Sequence, residues 1–390
     1  MFADHGSEHP NRPHKKRRTQ DPSSQSSTTL GTFVAIQPNA AVRVDNLTRH
    51  DEFWFDDGSV VLVAGNTAFR VYRALLAAQS TVFTDMFSSS SPDTQEMLDR
   101  RPVVHLSDSP KDLAHFLRVL LPKSRRTLFS RDFSFSFHQI AAVIRLAHKY
   151  HVQDVLEQAI ASLKERFTDS FDAWEARTGP ATIKVRSRQA IGVINLARLV
   201  DRPSLLPLAF YKCATLGSAV LDGYKREDNL KSIEHLSRED EKRCIDGRVR
   251  LAEAALTVLA EVFTARPCGG CKTHARCRTV LQAMRGDALA HEGALSASVL
   301  ASWREVVSGW ARERGLCGPC EKAALERDVR ARRRVWDSLP KIFDIEVEGW
   351  VPPVGGDGAQ EQPFWFGVHP LEEWECLQLN EWPGGFGSVS

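Results

Sequence analysis

The chain carries eight cysteines, and four of them fall in two CxxC pairs, Cys268–Cys271 and Cys317–Cys320. A CxxC turn presents two thiolates to one ion, and zinc takes four such ligands in a tetrahedron. Cys268, Cys271, Cys317 and Cys320 would supply all four for a structural Zn2+ site. Cys277 or His274, from the same CGGCKTHARC segment, could replace one of them. The gap between the pairs exceeds the roughly 15–20 residues of compact zinc modules. A helical hairpin that returns the chain to its start can close it.

Two other chemistries compete for these thiols. The second pair sits in CGPC, the active-site tetrapeptide of thioredoxins, which would make Cys317 and Cys320 a thiol–disulfide oxidoreductase pair. That chemistry needs a buried strand feeding a helix, whereas Trp310–Gly315 reads as a helix end with no βαβ pattern around it. Alternatively the cysteines are small buried residues or idle surface thiols. No Ser-His-Asp set, phosphate loop or paired-carboxylate motif stands out, so the chain is expected not to be an enzyme.

Length and charge narrow the class. A chain of 390 residues has room for two or three domains at about 150 residues each. Charged residues make up 26% and the formal net charge is +2. No global field therefore favours nucleic acid or an anionic membrane. No apolar run approaches the ~20 residues that span a bilayer, and no apolar signal segment opens the chain. These features predict a soluble protein of the nucleus or cytoplasm, where eight unevenly spread cysteines do not form a disulfide framework.

The elements that would position these groups begin with Asp57–Phe87. Asp57-Gly58 is a turn dipeptide, and Val60–Val63 is a β-branched run suited to a buried strand. Gly65-Asn66 is a tight-turn pair, and Thr67–Tyr72 is the returning strand. Leu75, Leu76, Val82, Phe83, Met86 and Phe87 then follow helical spacing, with a bend at Gln79-Ser80. Pro102–Leu106 reads as a strand. Ser107–Pro110 is a turn that caps a helix carrying Leu113, Phe116, Leu117, Leu120 and Leu121 on one face.

This order resembles the BTB/POZ domain. The family's pattern is a strand, a glycine-bearing hairpin, Phe-x-x-His-Arg/Lys, a leucine pair, Ser-x-x-Phe and Met-Phe. The matching residues are Phe69, Arg73, Leu75, Leu76, Ser80, Phe83, Met86 and Phe87, with Tyr72 where the family usually has His. The wording looks most like the large fungal branch of these proteins. The resemblance implies an α+β fold, a small sheet clasped by helices, over residues 46–167, followed by a mostly α-helical region. It also implies a protein–protein interaction scaffold that pairs with itself or with a partner. Two settings follow: substrate adaptor for a cullin-based ubiquitin ligase, or nuclear transcriptional or chromatin cofactor. In BTB transcription factors an Asp and an Arg line a charged pocket at the dimer interface. Arg73 matches the Arg, Ser59 falls at the Asp position, and Asp57 reaches it only in a shifted strand register.

Helices over Gln139–Tyr150 and Gln153–Phe167 match the family's closing pair. KSRRTLFSRDFSFSF, within Pro122–Phe137, is a long basic elaboration of the connection before them. VIRLAHKYHVQDVLEQA (Val143–Ala159) is echoed by VINLARLVDRPSLLPLA (Val193–Ala209) at a constant offset of fifty. Such an echo suggests a second helical hairpin stacked beyond the first. Residues 181–345 form the expected helical region, BACK-like or specific to the fungal branch, whose "C-x-x-C … W … G-L-C-x-x-C" segment the two cysteine pairs resemble. It includes a helix at Leu251–Phe263, a helical stripe of Leu295, Val299, Leu300, Trp303, Val306, Val307 and Trp310, and a solvated basic helix at Glu321–Arg334. Trp336, Leu339 and Phe343 are expected to pack this region shut.

Both ends are polar. Residues 1–45 read as a disordered tail with a basic cluster, His14–Arg18, of the kind nuclear import receptors read. Residues 346–390 read as an acidic aromatic tail suited to docking. From Ile342 onward the chain has nine acids, four Trp and no Lys or Arg.

Overall fold

Thr48–Trp54 forms the first strand, β1, although TRHDEFW buries only Phe53 and shows no clean alternation. It runs parallel to a later strand, with an irregular register between Arg49 and Trp54. The computed structural model describes residues 46–89, 96–121, 135–177, 183–227, 232–291 and 296–350. The basic cluster His14–Arg18, most of the Pro122–Phe137 elaboration, the Gly179-Pro180 boundary and the tail beyond Trp350 lie outside the described residues.

The expected hairpin forms. β2 (Val60–Ala64) is buried throughout, and β3 (Thr67–Val71) returns antiparallel to it, pairing Val60 with Val71 and Leu62 with Phe69. Gly65 sits in the turn at φ 51°, a conformation that costs glycine little. The following helix divides as the sequence suggested. α1 (Arg73–Gln79) ends at Ser80, and α2 (Thr81–Ser88) starts there. β4 (Met97–Leu98) and β5 (Arg101–Leu106) complete a five-stranded sheet of order β1-β3-β2-β5-β4, with β5 parallel to β2. α3 (Pro110–Leu120) is capped by the Ser109 hydroxyl with Pro at its first position.

The fifty-residue echo is geometric. β6 (Phe135–Ser136) leads into α4 (Phe137–Lys149), and α5 (Gln153–Lys164) closes the hairpin. After α6 (Phe171–Glu175), β7 (Ile183–Lys184) pairs parallel with β6 and leads to α7 (Ala190–Leu199) and α8 (Leu206–Ala214). The backbone N–H of Ser136 donates to Gln139 Oε1 at 3.0 Å, and that of Arg186 to Gln189 Oε1 at 2.7 Å. α4 ends on left-handed His151 (φ 53°) and α7 on left-handed Asp201 (φ 49°). In the same turns Val152 N–H reaches Ala147 O at 2.9 Å, and Arg202 N–H reaches Ala197 O at 2.8 Å. Every pair is fifty residues apart. α4 packs on α7, and Arg202 bonds to Glu157 across the two hairpins.

A second small ribbon, β8 (Tyr224–Lys225) with β9 (Ile233–Glu234), precedes the long α9 (Arg238–Val262). The expected helix at Leu251–Phe263 is the last half of α9. α10 (His274–Ala290), α11 (Arg304–Arg314), α12 (Gly318–Asp337) and α13 (Leu339–Ile342) follow. The stripe expected to begin near Leu295 becomes helical only at Arg304. Before that, Asp328 accepts from Ser302 Oγ at 3.0 Å and from Trp303 N at 3.3 Å, which holds this segment in a turn.

The closing segment behaves as expected, since Trp336, Leu339 and Phe343 are all buried. Phe343 stacks on Phe210 of α8 and lies so close to Gly247 of α9 that a Cβ there would fall 2.3 Å from its ring. The basic end of α12 is solvated at Arg330 and Arg334 but not at Arg332. Arg332 is 1% exposed and paired with Asp328 and Glu175, while Arg333 and Arg334 pair with Asp172 and Glu261. From Thr48 onward the described residues form one unit, with a hydrophobic cluster that runs from Phe53 to Phe343.

Candidate functional site

The edge of the hairpin carries the charged groups that could read a partner. Tyr72 donates its hydroxyl to Asp57 Oδ1 at 2.7 Å and stacks on Phe55 at 5.0 Å. That bond holds the Asp57 carboxyl below its ordinary range. Ser59 Oγ accepts from the Arg73 backbone N–H at 2.9 Å. The Arg73 guanidinium instead turns to the C-terminal end of α2, donates to Phe87 O at 2.8 Å and lies over the Phe87 ring. A cation there meets the negative end of the helix dipole. The β2–β3 register is regular, so Asp57 is not shifted toward Arg73. Neither Ser59 nor Asp57 forms an Asp–Arg pair with Arg73 in the described structure.

The second constellation is sulfur. Cys268 and Cys271 sit in a tight turn before α10, closed by Cys271 N–H to Cys268 O at 3.1 Å. Cys277 lies in the first turn of α10, whereas Cys317 caps α12 and Cys320 lies in its first turn. The folded chain thus brings both CxxC pairs together across the gap. Cys317 Sγ is 3.8 Å from Cys271 Sγ, and Cys320 Sγ is 3.7 Å from Cys268 Sγ. The Cys268 N–H also points at Cys320 Sγ, at 3.4 Å.

Cys277 joins the group from a position that a CxxC search does not weight. The thiol sulfurs of Cys271, Cys277, Cys317 and Cys320 all lie within 4.8 Å of one another, and this set could hold a metal. His274, the other substitute named from sequence, is exposed. Burial pushes the Cys277 thiol up, but hydrogen bonds from Thr273, at 3.2 Å, and from Cys317 outweigh it and bring the thiol down to about 7. Burial pushes the Cys317 and Cys320 thiols up. α12 is preceded by α11 and not by a strand.

Among protein families, residues 47–166 match the BTB/POZ domain. The sheet and its helices agree: a buried hairpin, the α1–α2 break at Ser80, a parallel third strand and a closing helical pair. Residues 47–166 are a BTB/POZ domain. Among curated proteins none matches the chain.

BTB domains are interaction modules that mediate protein–protein contacts and dimerisation, and this one is followed by a helical region. The hairpin α7–α8 continues the domain's own closing pair, α4–α5, and α6 packs its Phe171 against Trp336 at 5.9 Å. Among the described residues no helix is long and apolar enough to cross a membrane.

Proposed function

We propose that this chain is a non-enzymatic scaffold in which the BTB domain engages one protein and the helical extension selects another. The observation that supports it is the packing of α7 onto α4, which continues the domain's core into the extension. Two recognition surfaces on one core keep a fixed separation, as a bridging protein requires. The functional modules are then residues 46–167 and 181–345, with 346–390 as a docking tail. The setting we favour is a substrate adaptor of a cullin-based ubiquitin ligase in the nucleus or cytoplasm. In this reading the chain belongs to the fungal branch, its BTB surface binds a cullin or a second copy, and the BACK-like extension binds the substrate.

A nuclear transcriptional or chromatin cofactor is the second reading, favoured by the basic cluster His14–Arg18 and the acidic tail. A thiol–disulfide oxidoreductase acting through Cys317 and Cys320 is disfavoured. An attacking thiol needs its pKa lowered, and burial raises that of Cys317. We instead read the thiol cluster as a structural zinc site, with ligands drawn from Cys268, Cys271, Cys277, Cys317 and Cys320. Zinc would lock the turn before α10 to the start of α12.

Titrating the purified chain with the N-terminal domain of a cullin tests the adaptor setting. Binding at micromolar affinity or tighter, abolished by Leu62→Asp in the buried hairpin but not by Cys317→Ser, is the expected result. Absence of binding by a folded chain rejects the setting. Insulin reduction lost in Cys317→Ser would instead establish the oxidoreductase.

A further inference from the structure

Five thiols converge where a tetrahedral ion takes four. From the geometry we infer that Cys271, Cys277, Cys317 and Cys320 form a tetrathiolate zinc site and that Cys268 stands outside it as a free thiol. This rests on the zinc reading above and changes the ligand set that the two CxxC pairs alone would give.

The assignment rests on distance. Zinc–thiolate bonds of about 2.3 Å place the sulfurs of a tetrahedron about 3.8 Å apart. Cys271, Cys277, Cys317 and Cys320 are the four whose sulfurs all lie within 4.8 Å of one another, and the Cys271–Cys317 edge is already 3.8 Å. Small rotations of these side chains would close the set on one ion. Cys268 approaches Cys320 along a single edge at 3.7 Å and is not in the mutually close group.

Cys277 is 0% exposed, Cys320 1% and Cys271 4%, whereas Cys317 and Cys268 are both half-buried, so it is distance that sets Cys268 apart from the four. The Thr273 hydroxyl lies 3.2 Å from Cys277 Sγ, a contact of the kind that orients a metal ligand from outside. Cys277 and Cys320 occupy first turns of α10 and α12, and Cys317 caps α12, so both positive helix ends face the thiolates. For Cys268 the structure provides a different role. Its backbone N–H, not its sulfur, serves the centre by donating to Cys320 Sγ at 3.4 Å. That service survives loss of the Cys268 thiol.

The test measures zinc per chain in the full-length wild type and in five single Cys→Ser variants, in competition with a chromophoric chelator. Wild type and Cys268→Ser are expected to hold one zinc with similar affinity. Cys271→Ser, Cys277→Ser, Cys317→Ser and Cys320→Ser should weaken retention at least tenfold. Retention by Cys277→Ser, whether or not Cys268→Ser also retains the metal, overturns the ligand set. A wild type that binds no zinc overturns the reading beneath it. Should the variants not fold, iodoacetamide on the zinc-loaded wild type decides. Cys268 should be alkylated while the other four stay protected until chelator is added, with buried Cys213 and Cys244 as unreactive controls. Protection of Cys268 together with labelling of Cys277 is the contrary result.

Discussion

Ser80 donates its hydroxyl to the carbonyl oxygen of Tyr150 at 2.6 Å, across seventy residues of sequence. Ser80 Oγ in turn accepts from Phe83 N–H at 3.0 Å and starts α2. The Tyr150 ring stacks on Phe83 with centroids 4.3 Å apart, and its hydroxyl bonds to Asp108. One buried serine therefore makes the bend between α1 and α2 and ties it to the C-terminal end of α4.

Ser80→Ala should cost about 2 kcal/mol, from loss of a helix cap and an unsatisfied buried carbonyl. The midpoint of urea unfolding, followed through the α-helical signal, measures it. A change below a few tenths of a kcal/mol would mean that the Tyr150 carbonyl finds another donor and that the tie is dispensable.

The BTB part was legible in the sequence because its signals are local. A turn pair at Gly65-Asn66, a Ser cap and a proline at the start of α3 each state an element boundary. β1 was not legible. Its residues Thr48–Trp54 are held by pairing with β3, and a single buried Phe53 leaves no periodicity to read. The two CxxC pairs announced a thiol site, and the fold unites them. Cys277 could be named only as a substitute, since its place beside Cys317 depends on how α10 meets α12. The burial of Arg332 was not legible: Asp328 is one turn back on α12, but the second partner, Glu175, comes from α6, and only the fold brings it there.

The two left-handed hairpin turns carry a matched pair of strained residues. A left-handed conformation costs a residue with a Cβ about 1–2 kcal/mol, less for Asp, whose side chain tolerates it. His151→Gly should therefore raise stability by about 0.5–1 kcal/mol, and Asp201→Gly by less. Both gains are read from denaturation midpoints. Destabilisation by either change would show that the side chain makes a contact worth more than the backbone strain.

Arg332 joins α12 to α6 through Glu175, at 2.6 and 2.9 Å, and to Asp328 at 2.9 Å. Arg332→Leu should cost about 3–5 kcal/mol, because it leaves the buried Asp328 carboxylate without its cation. Adding Asp328→Asn should recover part of that loss, since Asn removes the charge, can accept from Trp303 N–H through its one carbonyl oxygen and can donate through its NH2 to Ser302 Oγ. A double variant no more stable than Arg332→Leu would assign the cost to lost packing of the arginine stem instead.

Lys212 supplies the pH dependence. Its ammonium lies 4.9 Å over the Trp174 ring, whose centroid is 3.4 Å from the Arg177 guanidinium carbon. Among the described residues no carboxylate forms a salt bridge with Lys212, Arg177 or Arg166. Burial first, then repulsion from Arg166 and Arg177, brings Lys212 down from 10.5 to about 8. Between those values the unfolded chain holds the proton more tightly than the folded one, so stability rises with pH across that window. Below about 8 both states are charged and the folded chain bears the full penalty. Lys212→Met removes the charge and keeps the stem's contact with Trp174. It should stabilise the protein at pH 7 by about 1 kcal/mol, allowing for solvent at the head group. It should also flatten the rise that wild type shows between pH 8 and 10.5. Thermal unfolding at half-unit pH steps compares the two. Parallel curves for wild type and variant would mean that the ammonium is neutralised by an anion it meets in solution.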